Sequence, residues 1–152
     1  MKIITDQAYI QSIAYRKKPK APMTEIDSVE ITCEQGVVPD TRGKPGKRQV
    51  TVLSLEAWQT ACAELGVELP WTTRRANILV SGITFSADDV GKILQIGDVR
   101  LQITVETDPC NRMDEQHHGL MAALTPNWRA GVCCRVLSGG QIRVNDPMTC
   151  RD

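Results

Sequence analysis

The stretch Lys92-Ile93-Leu94-Gln95-Ile96-Gly97-Asp98-Val99-Arg100-Leu101-Gln102-Ile103-Thr104-Val105 sets the fold class. Two apolar-rich runs, Lys92–Ile96 and Val99–Val105, flank Gly97-Asp98, a dipeptide suited to a two-residue hairpin turn. Toward the N-terminus, Arg75–Val80 reads as a strand and Gln49–Leu53 as a short buried one. Residues 8–15 and 25–32 read as two more, the second close to alternating polar with apolar side chains. Toward the C-terminus, Val132–Leu137 and Gln141–Val144 read as a last hairpin around Ser138-Gly139-Gly140.

Between these strands lie two basic loops. Arg16-Lys17-Lys18-Pro19-Lys20-Ala21-Pro22 is punctuated by proline, and residues 36–48 combine Gly36, Pro39, Gly43, Pro45 and Gly46 with Arg42, Lys44, Lys47 and Arg48. Ser54 can cap a helix to about Leu65 that Gly66 closes, with Leu55, Trp58, Cys62 and Leu65 on one face. Asp114–Leu124 predicts a second helix, interrupted by Gly119. Short strands with turn signals and two or three short helices predict a mostly β chain closed into a barrel. The order does not read as βαβ units.

The 152 residues fit one domain, and a chain of that length buries about 70% of its unfolded surface without disulfide or metal. With one Phe and two Tyr, the core must be aliphatic. Eighteen basic residues balance eighteen acidic ones, so net charge gives no argument for nucleic acid or an anionic membrane as partner. No apolar run approaches the ~20 residues of a membrane helix. The segment Met1–Gln7 is too polar for a signal-peptide core, which predicts a cytoplasmic protein. The cysteines at 33, 62, 110, 133, 134 and 150 are therefore expected as reduced thiols.

Over about residues 8–148 the chain resembles the MOSC family, the C-terminal module of molybdenum cofactor sulfurases. The matching pieces are Gly36–Asp40, Arg48–Glu56, Arg75–Ile83, Val90-Gly91 leading to Ile96–Val99, Pro109-Cys110, Trp128–Val132, and Gly140–Ile142 with Asp146. Each piece is weak alone; their order and spacing carry the match. The resemblance implies a closed barrel like that of the pyruvate kinase β-barrel domain. It also implies a role around the molybdenum cofactor, either carrying sulfur to it or binding it. The pyridoxal-phosphate desulfurase and iron–sulfur domains of larger relatives have no counterpart in this sequence, so a separate cysteine desulfurase or redox protein is the expected partner. Pro39 stands where the family usually has Gly, and Ala130 where a second Gly is common. Pro39 has no N–H to offer an anion.

Cys110 is the candidate functional and metal-binding residue. A thiolate is a soft ligand for molybdenum, and it can also accept a sulfane sulfur as a persulfide. Arg112, His117 and His118 are close in sequence and could favour the thiolate. Read from the residues alone, Cys110 could equally be a small core hydrophobe. Arg48, Arg75, Asn77 and Arg129 are the candidate grip for a phosphate-bearing cofactor, because guanidinium forks suit phosphate. Each arginine flanks a strand, which predicts that Arg48, Arg75 and Arg129 converge. Taken singly they could instead pair with Asp40, Glu56 or Asp146. Asp40 either positions an arginine or caps a turn. The histidine pair beside Cys110 falls short of a four-ligand zinc set.

Three functions fit this reading. The first is a sulfur-carrier or cofactor-binding module using a rim cysteine. The second is a molybdenum-cofactor-dependent reductase of N-hydroxylated compounds that works with separate redox partners. The third is an anion-binding barrel without cofactor chemistry.

Overall fold

A computed structural model describes residues 8–152; the reading of Met1–Gln7 lies outside the described residues. Among the described residues, eleven strands and three α-helices follow one another. The first strands are β1 (Tyr9–Tyr15), β2 (Thr24–Ile26), β3 (Ser28–Thr32), β4 (Gly36–Val37) and β5 (Val50–Ser54). Then come α1 (Leu55–Leu65), β6 (Ile78–Ser81), β7 (Ile93–Ile96) and β8 (Val99–Glu106). Last are α2 (Asn111–Gln116), α3 (Leu120–Leu124), β9 (Val132–Ser138), β10 (Gly140–Arg143) and β11 (Thr149–Arg151).

An eight-stranded sheet runs β11-β7-β8-β9-β5-β6-β1-β2, and a three-stranded sheet runs β10-β3-β4. The β7–β8 hairpin pairs Ile96 with Val99 and Ile93 with Gln102, as its turn predicts. The closed barrel expected from the sequence is not formed. The large ladder is open, with β2 and β11 as its end strands. Its edges approach through residues 145–148, where Ile10 N donates to Asp146 O at 2.9 Å and Met148 N to Ala8 O at 3.0 Å. Among the described residues these bonds flank one isolated bridge, between Tyr9 and Pro147, and do not extend into a strand ladder.

Three further expectations are corrected. β5 and β6 pair in parallel with α1 in their connection, a βαβ unit. Parallel neighbours need a crossover of this length. The run 25–32 breaks at Asp27 into β2, which belongs to the large sheet, and β3, which belongs to the small one. The expected β9–β10 hairpin does not form, because β10 pairs with β3, Gln141 opposite Glu30. Gly139 serves that contact. A Cβ there would lie 2.4 Å from Ile31 O, so only glycine lets the β9–β10 link run against β3.

Strand periodicity divides the apolar side chains between two cores. Val50 and Val52 of β5, Ile78 and Val80 of β6, and Val132, Cys134 and Val136 of β9 face a large aliphatic core shared with Val29, Ile31 and Ile142 of the small sheet. Ile10 and Ile13 of β1 both reach this core although three residues apart, because a bulge shifts the register between Ile10 and Ser12. Leu53 and Leu79, on the opposite face, pack under Trp58, Ala61, Leu120 and Leu124 of the helices. Each such buried side chain is worth about 1.5–3 kcal/mol.

Ser54 Oγ accepts from Ala57 N at 3.2 Å, and Gly66 in the left-handed conformation ends α1. The second predicted helix is two, starting at Asn111 instead of Asp114. Gly119 at φ 90° turns the chain between them. None of the helices among the described residues is long and apolar enough to cross a membrane.

Candidate functional site

The same alternation that fills the large core turns Thr51 of β5, Asn77 just before β6 and Cys133 of β9 to the opposite face. There they line a cleft of about 570 Å³ beside α2. Cys110, exposed, stands in this cleft at the start of α2, after β8 has ended. Around it gather Arg16, Lys20, Arg42, Arg48, Arg74, Arg75 and Arg112, against one acidic lining residue, Glu115. A chain of zero net charge thus concentrates its cations at one site.

Not all of these cations are available. Arg75 Nη2 donates to Ala21 O at 2.6 Å and is committed to the basic loop. Arg48 makes a loose, exposed ion pair with Asp108 at 3.8 Å, a kind of contact worth little. Arg74 differs from both. Its Nε donates to Ala130 O at 2.8 Å, while its Nη2 is buried without a hydrogen-bond partner. Arg16 Nε is in the same state.

Burial pushes the Arg74 guanidinium down to about 10, partly opposed by the nearby thiols of Cys133 and Cys110. Arg16 is also held below the usual arginine range. Desolvation is the main cause, Asp40 opposes it, and Arg75, Arg42 and Arg112 add repulsion. Arg75 is lowered by desolvation, then by Arg112 and Arg42. These guanidiniums repel one another, and a bound anion would relieve them all.

The expected site residues divide. Cys110, Arg48, Arg75 and Asn77 share the cleft, but the convergence of the three arginines fails at Arg129. Arg129 Nη1 instead bonds Glu64 Oε1 at 2.9 Å and Ala123 O at 3.0 Å, beside a separate cavity that includes Phe85 and Trp128. Asn77 has no free donor for an anion. Its Nδ2 bonds Ala14 O at 3.2 Å and Asp40 Oδ2 at 3.0 Å, and its Oδ1 accepts from Thr51 N at 3.2 Å. Asp40 caps a turn, with Oδ1 accepting from Arg42 N at 2.8 Å, while Oδ2 takes Arg16 N at 3.1 Å.

His117 and His118 do not line the cleft. Among the described residues, no three His, Cys, Asp or Glu side chains gather as a metal set. The site residues missed from sequence are Arg16 and Arg74. The three-residue spacing from Trp71 carried a signal for Arg74, because Trp71–Arg74 forms a 3-10 turn in which positions three apart eclipse. Trp71 is a core residue, so Arg74 turns inward with it.

An open sheet pair with an exposed thiol in an arginine-lined cleft defines a small β domain. A family model for the MOSC domain matches residues 34–149. The chain belongs to the MOSC domain family. No curated protein matches the sequence significantly. Among solved structures it is similar to the YuaD protein of Bacillus subtilis, with TM-score 0.81 and 17% identity over 94% of each chain. It is also similar to YiiM from Geobacillus stearothermophilus, with TM-score 0.75 and 21% identity over 95% of this chain and 75% of that one. YiiM from Escherichia coli gives TM-score 0.71 and 16% identity over 95% and 70%. At these identities the likeness shows the fold. The family is associated with molybdenum-cofactor-related proteins.

Proposed function

We propose that the domain is a molybdenum-cofactor-related carrier or binding module that works through Cys110. The observation carrying this reading is that the exposed Cys110 thiol and the partnerless Nη2 of buried Arg74 share one cleft. A pterin dithiolene with a phosphate tail needs a soft sulfur ligand at one end and an anion seat at the other. The residues present fit both needs. When bound, the cofactor supplies the sulfur- or oxygen-transfer chemistry of molybdenum.

The chain's own residues have distinct tasks in this reading. Cys110 offers its sulfur, as ligand or as persulfide carrier. Arg74 and Arg16, which line the cleft and each carry a buried N–H without a partner, hold the phosphate. Asn77 and Asp40 fix the loops that carry Arg16 and Arg42. Sulfur or electrons come from a separate protein or a small donor.

The test is expression in a cofactor-competent host, followed by molybdenum and pterin analysis of the purified chain. Wild type is expected to retain both, and Cys110→Ser to lose molybdenum. Equal molybdenum in the two proteins contradicts the role of Cys110. Electron-dependent turnover of an N-hydroxylated compound would make the module an enzyme instead of a carrier.

A further inference from the structure

A sulfur carrier needs a donor, and the atoms around Cys110 restrict its chemistry. Transfer from a persulfide on another protein requires an open thiol but no buried cation. Here the thiol shares its cleft with Arg74, which is only 7% exposed. Arg74 spends Nε on Ala130 O and leaves Nη2 without a partner. Nε of Arg16 is a second buried donor without a partner, in the same cleft. Buried donors left unsatisfied are rare, and charged ones are best satisfied by an acceptor with several oxygens. Asp40 cannot supply those oxygens, since Arg16 N, Arg42 N and Asn77 Nδ2 already occupy it.

We propose that Cys110 takes its sulfur from small donors whose leaving group is a sulfonate-type oxyanion, thiosulfate being the simplest. This rests on the carrier reading above. The Cys110 thiolate attacks the outer, sulfane sulfur. A new S–S bond forms at Cys110, the donor's S–S bond breaks, and its electron pair leaves on sulfite. A thiolate and a thiosulfate dianion thus become a persulfide anion and a sulfite dianion. Charge is conserved, and no outside oxidant or reductant enters. Arg74 and Arg16 seat the sulfonate oxygens, where negative charge gathers as that bond breaks.

The experiment treats the full chain with thiosulfate and reads two signals: one added sulfur atom on the Cys110 peptide by mass mapping, and an equal release of sulfite. Wild type is expected to load. Cys110→Ser is expected not to load, and Arg74→Met to load slower by on the order of a hundredfold. Loading from inorganic polysulfide, which has no sulfonate, should slow far less in Arg74→Met than loading from thiosulfate does, so the ratio of the two rates reads the sulfonate seat. If polysulfide loads Cys110 and thiosulfate does not, the donor assignment is overturned while the carrier reading stands. If neither loads it, both fall. Should Arg74→Met lack the wild-type circular dichroism spectrum, sulfate competition in wild type decides. Slower thiosulfate loading with unchanged polysulfide loading supports the seat, and no competition overturns it.

Discussion

Asn77 Nδ2 donates to Asp40 Oδ2 across 3.0 Å, and that bond joins the approach to β6 with the loop that carries Arg42. Both residues were candidates for touching a ligand. Their hydrogen bonds are spent instead on Ala14, Thr51, Arg16 and Arg42. Asn77 is therefore part of the cleft's frame. Asn77→Ala leaves Ala14 O, Asp40 and Thr51 N short of a partner, and should cost about 1–3 kcal/mol for each group stranded away from water. A lowered urea midpoint at unchanged slope would register this. An Asn77→Ala protein as stable as wild type would show that the network does not hold the cleft.

Arg74 should behave in the opposite way. A buried cation with one donor unspent pays desolvation without full return, and replacing such a group by an apolar one of similar size is often neutral or stabilising. Arg74→Met is accordingly expected to keep or raise the melting temperature in the absence of anion. Added inorganic phosphate should then separate the two proteins. Wild type should gain about 2.7 kcal/mol at a hundredfold excess over its dissociation constant, and the variant should gain little. Equal phosphate effects on both would remove Arg74 from the anion seat.

Much of the fold was legible because local chemistry decides it. Ser54 and Gly66 bound α1 in the sequence as they do in the structure. Gly97-Asp98 marks the β7–β8 turn. What failed were decisions made at long range. The phase slip from Ile26 to Val29 signals the break at Asp27, but not that β3 leaves for a second sheet. Gly139 looked like a turn residue, whereas β3 requires its missing Cβ. The cleft was half legible. Cys110, its neighbour Arg112 and Arg75 stand out in their own segments, but Arg16, Arg42 and Arg74 join them only through the sheet order. Arg129 flanks a strand as Arg75 does, yet α1 offers it Glu64 and draws it to another face.

The bystander thiols sort by burial. Cys150, although near the chain end, is buried in β11 opposite Leu94, and Cys33 is exposed. Burial pushes the Cys134 thiol well above its ordinary range, with Cys133 and Cys150 adding to the effect. Cys134 should therefore alkylate only as fast as the domain opens globally, with a rate that climbs as urea is added. Mass mapping across a urea series checks this. Fast labelling of Cys134 in the native protein would contradict its burial.

The central claim is that Cys110 is a working thiol inside an anion-binding cleft, and paired alkylation tests it most directly. Native protein is treated near pH 7 with limiting iodoacetamide, which is neutral, or with iodoacetate, which is an anion. The labelling ratio of Cys110 to exposed Cys33 is then read by mass mapping. Cys110 should label faster with both reagents, the ratio should rise several-fold with iodoacetate, and inorganic phosphate should remove that rise. A ratio near unity with both reagents, unmoved by phosphate, would contradict the claim.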